Sequence, residues 1–140
     1  MLNLSRRWVV PVLVLVAALT GCGVPPSDQP LHQTSWQLEN FNGEDPVGDR
    51  PLTLNFVDGQ ATGGAGCNSF GGNYRQQSNL LTFSELTRTL MACPGAQGVM
   101  DQEQAYLEAL GAVERFELRN GSLVLLTGSG ELLVFSQTSP

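Results

Sequence analysis

The chain is organised around a glycine-rich stretch, residues 63–93, that contains two cysteines, Cys67 and Cys93. Five of the sixteen glycines of the chain fall within it. Glycine allows close backbone approach, bulges and left-handed conformations where a small sheet bends sharply. The stretch therefore predicts a bent sheet with a cross-link, and its residue types indicate architecture rather than the turnover of a substrate.

The N-terminus has the three parts of a signal peptide in order. Arg6 and Arg7 precede an apolar run over residues 8–19, and small residues follow. As a membrane span this run is too short, because it has Pro11 inside it and a bilayer needs roughly 20 apolar residues. Residues 1–21 are therefore predicted to be removed, with cleavage between Gly21 and Cys22.

The cleavage site Leu19-Thr20-Gly21-Cys22 resembles the bacterial lipobox, although Thr20 is a less usual residue there. The resemblance implies that Cys22 becomes the lipidated first residue of the mature chain, carrying acyl chains such as palmitate, and two or more chains anchor a protein firmly. A stray cysteine after an ordinary signal peptide is the alternative. The expected location is the cell envelope, on the periplasm-facing outer membrane in a Gram-negative cell.

After this cleavage the chain keeps five arginines and no lysine against thirteen acidic residues. Nucleic-acid binding needs a basic surface, so this charge argues against it. In an oxidising compartment disulfides persist, and Cys67 and Cys93 are an even pair. A bond between them would stabilise the fold by roughly 3 to 4 kcal/mol. Two buried free thiols remain the alternative.

The rest of the chain reads as a tether, one domain and a short tail. Residues 22–34 are rich in Pro, Ser, Asp and Gln and predict a flexible tether, in which the lone His32 is a solvated side chain. Residues 35–136 form the domain and 137–140 the tail. Alternation of apolar and polar residues predicts strands over 35–39, 52–56, 60–64, 73–76, 80–83, 115–119, 122–127 and 131–136.

Two hairpin turns and one helix complete the predicted elements. Asp58-Gly59 and Asn120-Gly121 suit type I′ turns, which need positive φ at both central residues. Asp101 and Gln104 predict a capping box at the start of a helix. The apolar stripe of this helix is Tyr106, Leu107, Leu110 and Val113, and Gly111 marks its end.

These elements predict a mainly β (α+β) fold. About eight short antiparallel strands would curl into a barrel or half-barrel with the helix packed on it. The pattern does not decide between a barrel and a sandwich.

Three short motifs carry a family resemblance: Gly66-Cys67-Asn68, Gly72-Asn73-Tyr74 and Thr89-Leu90-Met91-Ala92-Cys93. With them, residues 35–136 resemble the META (HslJ-like) domain. The resemblance implies a lipocalin-like curled sheet found in bacterial envelope and secreted proteins. It also implies a loose link to heat stress, antibiotic stress and motility, and no established catalytic activity. The residues matching the family motif are Gly66, Cys67, Asn68, Tyr74, Thr89, Met91 and Cys93.

The residue types of the predicted domain argue against catalysis. Serine or cysteine nucleophiles need a nearby base, and the domain has neither histidine nor lysine. A zinc site and a phosphate-binding loop lack their residues for the same reason. Glutamates that could form a carboxylate pair are more typical of a solvated face, and they are Glu103, Glu108, Glu114 and Glu117. We therefore expect no enzyme activity, no cofactor and no metal.

Binding is the remaining class of function. A curled sheet can hold a small apolar ligand or present loops to a protein. The predicted loop 63–72, with Phe70 at its tip, is the candidate contact surface, and a core position for Phe70 is the alternative. The expected function is a non-catalytic envelope lipoprotein that binds a protein or small ligand in envelope or stress maintenance. Inhibition of an envelope or secreted hydrolase is the second hypothesis.

Overall fold

The computed structural model describes residues 29–94 and 98–139. The predictions on the signal peptide, on Cys22 and on the first part of the tether lie outside these ranges. Within them, no helix has the length and the apolar character needed to cross a lipid bilayer.

In the part of the chain that the structure describes, eight strands and one helix follow each other in the order of the predicted pattern. The strands are β1 Thr34–Phe41, β2 Thr53–Val57, β3 Gln60–Gly64, β4 Ser69–Gln77, β5 Leu80–Arg88, β6 Val113–Arg119, β7 Ser122–Thr127 and β8 Leu132–Thr138. Helix α1, Val99–Gly111, lies between β5 and β6. Each strand pairs antiparallel with the next, and β8 pairs with β1, so the sheet closes into a barrel. The predicted mainly-β fold is confirmed, and it is a barrel rather than a sandwich.

Antiparallel order divides the loops between two ends of the barrel. One end, called the helix end below, has α1 packed on it. It contains the connections β1–β2 and β3–β4, the described part of the connection β5–α1 and the turn β7–β8. The opposite end has the hairpins β2–β3, β4–β5 and β6–β7, and it is also where the chain enters β1.

Alternation along the strands fills the interior of the barrel with large apolar side chains. Leu123 and Leu125 of β7 are completely buried while the residues between and beside them are half-exposed. Full burial of such a side chain contributes about 1.5–3 kcal/mol. The fully buried large residues are Leu31, Leu52, Leu54, Phe56, Leu81, Glu103, Tyr106, Leu110, Leu123, Leu125, Leu133 and Phe135.

Both predicted two-residue turns have the backbone that type I′ requires. The φ angles are 49° at Asp58 and 80° at Gly59, and 50° at Asn120 and 82° at Gly121. A right-handed strand twist favours this turn type, which explains why these dipeptides fix the register of their hairpins.

The glycine-rich run differs from its prediction. The strand predicted over residues 60–64 is confirmed as β3, but the loop expected over residues 63–72 is limited to residues 65–68, because β4 already begins at Ser69. Phe70 is only 5% exposed, and its ring centroid lies 5.9 Å from that of Tyr106. The predicted contact surface at Phe70 is therefore wrong, and its alternative as a core residue is right.

Gly72 is needed because β4 and β5 approach closely at a bulge. A Cβ there would lie 2.8 Å from the Ser84 carbonyl oxygen and 2.9 Å from Leu86 Cδ2, whereas the nearest atom to one at Gly71 would be 3.8 Å away. We expect Gly72→Ala to lower the free energy of unfolding by about 1–2 kcal/mol and Gly71→Ala to change it by less than about 0.5 kcal/mol. Urea denaturation of both variants tests this, and equal losses would contradict it.

The helix begins earlier than predicted. Its first residue is Val99, preceded by Gly98 with φ of 82° and no side-chain cap. The predicted capping box is wrong: Asp101 lies inside the first turn, where a carboxylate still interacts favourably with the helix dipole. The last helical residue is Gly111, as predicted.

The last part of the predicted tether, residues 29–34, packs onto the opposite end of the barrel. Leu31 is completely buried, and the Gln33 amide donates to the Phe56 carbonyl over 2.8 Å. His32 is half-buried rather than solvated, with Nε2 3.8 Å from an Asp58 carboxylate oxygen. A single leucine among polar residues has no periodicity, so the sequence pattern does not indicate this packing.

Candidate functional site

All but one of the motif residues meet at the helix end, around the short connection between β3 and β4. Gly66 opens this connection with φ of 102°, and a Cβ there would lie 3.2 Å from Val99 Cγ1 of α1. Glycine therefore lets the backbone turn beneath the helix without a steric clash. This turn brings Cys67 and Asn68 into buried positions, 4% and 3% exposed.

Asn68 joins three separate segments of the chain. Its Oδ1 accepts hydrogen bonds from the Met91 amide at 2.6 Å and from Thr89 Oγ1 at 2.8 Å. Its Nδ2 donates to the Met91 carbonyl at 3.1 Å and to Glu103 Oε1 at 2.8 Å. The whole hydrogen-bonding capacity of this amide is thus used inside the protein.

Glu103 is the buried anion of the cluster. It is completely buried, and its Oε2 accepts from the Asn68 backbone amide at 2.7 Å. Its Oε1 also accepts from an Arg88 guanidinium nitrogen at 2.9 Å. A carboxylate without water needs such partners, since an unpaired buried charge is strongly destabilising. The prediction that Glu103 lies on a solvated helix face is wrong.

Cys67 and Cys93 form a disulfide, with an S–S distance of 2.01 Å and a Cα–Cα distance of 5.9 Å. The bond follows Met91 by two residues, so residues 89–93 are held both by Asn68 and by a covalent link. We call these five residues the anchor loop.

Helix α1 is fixed at two further places. Gln102 bonds both backbone groups of Val47, accepting from the amide at 2.6 Å and donating to the carbonyl at 3.0 Å. The buried Tyr106 hydroxyl donates to the Thr53 carbonyl at 3.2 Å, and burial raises the pKa of this phenol. The helix therefore joins the connections β1–β2 and β3–β4 to the anchor loop.

Six of the seven predicted motif residues meet in this cluster, and Tyr74 does not. Tyr74 lies on β4, where its ring packs edge-on against Phe56 with centroids 4.8 Å apart. Burial is the main cause that raises its pKa. Its role is in the packing of the barrel.

The other three glutamates of the predicted carboxylate set have separate surroundings. Glu108 accepts from Gln104 on the exposed side of α1, at 2.9 Å. Glu114 lies against Gly128 in the β7–β8 turn, and Glu117 pairs with Arg119. Among residues 29–94 and 98–139, no three His, Cys, Asp or Glu side chains are arranged to hold a metal ion.

Two concave surfaces flank the anchor loop. A shallow groove of about 400 Å³ lies between β5 and α1, lined by Leu86, Thr87, Arg88, Gln104, Leu107 and Glu108. A smaller cavity of about 150 Å³ lies on the other side, lined by Val47, Gly48, Asp49, Arg50, Gly66, Cys93 and Val99. Between them Leu90 is 88% exposed and Met91 51% exposed.

Two of these features were missed by sequence reasoning. The burial of Glu103 has a signal, because Val99, Glu103, Tyr106 and Leu110 recur at the spacing of one helix face and all are buried. The exposure of Leu90 has no signal in the sequence, because two adjacent apolar residues such as Leu90 and Met91 are usually expected in the core.

Comparisons with known proteins agree with this architecture. A family model described as META domain matches residues 29–140. A protein from Burkholderia xenovorans, with a structure solved by NMR, is 27% identical and superimposes with a TM-score of 0.65, covering 100% of this chain and 99% of that one. No match was found among curated protein sequences.

Two further solved structures share the fold at lower identity. One, an NMR structure, is 24% identical with a TM-score of 0.64, and the match covers 79% of this chain and 94% of that one. The other is a crystal structure of a duf4847 family protein from Bacteroides vulgatus, 13% identical with a TM-score of 0.59, covering 81% and 98%. At these identities the likeness is one of fold.

Proposed function

Because the chain belongs to the META domain family, we propose that it is a non-catalytic lipoprotein of the cell envelope that acts by binding another protein. The observation that carries this proposal is the use of the family motif. Its polar groups bond one another, and together they hold an exposed loop in one conformation. Residues that fix a loop are the structural support that a binding surface needs.

Protein binding fits better than the binding of a small apolar ligand inside the barrel. Large side chains such as Phe56, Phe135 and Tyr106 occupy the interior and are completely buried. The concave surfaces beside the anchor loop are shallow and lie on the outside. A small ligand bound in such a groove would keep much of its surface in water, whereas specific small-molecule sites enclose most of theirs.

Inhibition of an envelope or secreted hydrolase is the second candidate, and the anchor loop favours it. A loop with a fixed backbone that presents exposed apolar side chains, here Leu90 and Met91, loses little conformational entropy on binding, which favours tight inhibition. Its test is a dose-dependent loss of hydrolase activity that Leu90→Asp abolishes.

We expect anchoring through Cys22, and labelling with a palmitate analogue tests it. The wild-type chain should take up the label and leave the membrane fraction only in detergent. Cys22→Ala should reduce the label to background, because the acylated thiol is absent. The matched control is Gly23→Ala, which keeps Cys22 and should label normally. Labelling that persists in Cys22→Ala would contradict the anchor.

A further inference from the structure

The anchor loop combines high exposure with a fixed backbone. An exposed apolar side chain is common and means little by itself. Here, however, Asn68 bonds both the amide and the carbonyl of Met91, and the Thr89 amide donates to the Ser69 carbonyl at 3.0 Å. The disulfide closes the loop at Cys93. Leu90 is thus held in solvent by a rigid frame.

Such a frame gives Leu90 no packing energy in the free protein. Its benefit appears on binding, because ordering a flexible loop at an interface costs conformational entropy and a loop with a fixed backbone avoids part of that cost. The side chains that contribute most to a protein interface fill well-packed pockets from which water is excluded, and an exposed side chain on a fixed backbone can enter such a pocket. A concave surface on each side of the anchor loop adds to the area that a partner could contact.

The direction of the anchor loop favours a protein over the membrane. The chain enters the barrel through residues 29–34 at the opposite end, and the anchor loop lies at the helix end. Under the proposed lipid anchor at Cys22, on which this inference rests, the helix end would point away from the bilayer.

Charge at the helix end specifies the partner further. Apart from the buried pair of Glu103 and Arg88, the β1–β2 connection, α1 and the β7–β8 turn contain six described acidic side chains and one arginine: Glu44, Asp45, Asp49, Asp101, Glu108 and Glu131 against Arg50. Arg88 pairs with Glu103, so the surrounding carboxylates dominate the field. Towards the other end, three arginines balance most of the acidic residues: Arg75, Arg115 and Arg119. A negative surface steers and orients a positively charged partner.

We propose that the helix end is the docking surface for a basic protein, with Leu90 inserting into an apolar pocket of that protein and the surrounding carboxylates facing its lysines and arginines. A second copy of this acidic chain would be repelled by the same field.

Site-specific photo-cross-linking of the full chain in its own cell envelope tests this proposal. The photoreactive residue benzoylphenylalanine replaces Leu90 in one variant, and Val57 or Leu118 in two controls. These control positions are 48% and 46% exposed and lie towards the opposite end. We expect position 90 to give a discrete protein adduct at least about five times stronger than either control, and mass spectrometry to identify a protein with a net positive charge.

The electrostatic part has its own test in isolated envelopes. Raising the salt concentration from 50 to 500 mM should lower the yield of the cross-linked adduct from position 90 several-fold. At the higher concentration, attraction between surface charges is screened beyond about 4 Å. The double substitution Asp45→Asn and Asp49→Asn should lower the same adduct yield at low salt, because it removes two carboxylates from the helix end. These residues are exposed, so thermal unfolding of this variant should match that of the wild type.

Every other result contradicts either the docking surface at the helix end or the proposed protein-binding function. Adducts from position 90 with lipid, with a second copy or with an acidic protein overturn the docking proposal. Strong adducts from positions 57 or 118 alone overturn it too, but they leave the proposed binding function standing. The absence of adducts from all three positions counts against both.

Discussion

Replacing Glu103 with glutamine is expected to lower the free energy of unfolding by about 2–4 kcal/mol, although the side chain keeps its size. The carboxylate accepts from the Asn68 backbone amide, from Asn68 Nδ2 and from Arg88. Glutamine has only one acceptor oxygen. Its amide NH2 group would therefore face an N–H donor at the place where a carboxylate oxygen accepts in the wild type. Because the volume is unchanged, a cavity cannot account for the loss.

The matched control is Glu108→Gln on the same helix. Glu108 is exposed and accepts one hydrogen bond from Gln104, an interaction worth about 0.2–0.5 kcal/mol. Urea denaturation followed by circular dichroism should therefore separate the two variants clearly. Similar midpoints for both would show that the buried cluster does not stabilise the fold as described.

A double-mutant cycle with Asn68→Ala sharpens this test. Asn68→Ala removes the hydrogen bond from Asn68 Nδ2 to Glu103 and keeps the one from the backbone amide. Because the side-chain bond is already lost in either single variant, we expect the double variant to lose at least about 0.5 kcal/mol less than the sum of the single losses. Additive losses would mean that the two residues act separately.

The strands and turns were predictable because their signals are local. Alternation over β2 and β7 and the dipeptides Asp58-Gly59 and Asn120-Gly121 each act over a few residues. Closure of the barrel was not decided by the sequence, because it depends on the pairing of β1 with β8 at the two ends of the domain. Non-local pairing leaves no mark in a short window.

Some glycines suggested a loop although they lie in strands. They are needed there because a neighbouring segment leaves no room for a Cβ, not because the backbone must be flexible. A Cβ at Gly63 would lie 1.9 Å from the Thr53 carbonyl oxygen, and one at Gly72 would crowd β5. Gly63 lies in a strand that the sequence predicts, whereas Gly72 lies in β4, in a segment expected to be a loop. Close approach of another segment is visible only in three dimensions.

The burial of Glu103 shows a different limit. Its position on the buried face of α1 could be read from spacing, but its partners could not, because Asn68 is 35 residues away along the chain. A charge at a core position of a helix therefore indicates that a partner exists. It does not identify that partner.

Removing the disulfide with Cys67→Ala and Cys93→Ala together is expected to lower the free energy of unfolding by about 3–4 kcal/mol. The two cysteines are 26 residues apart, and the link restricts the unfolded chain over that length. The same loss should follow when the wild-type chain is reduced with dithiothreitol. The double variant is its own control, since the reductant should not change its unfolding further.

The disulfide also has a local consequence that separates its two roles. Without it, the anchor loop keeps the hydrogen bonds between Asn68 and Met91, but its end at position 93 is free. We expect the double variant, still folded at low temperature, to give a weaker cross-link from position 90 than the wild type does. A normal cross-link with the full stability loss would assign the disulfide to stability alone, whereas a loss below about 1 kcal/mol would contradict its stabilising role.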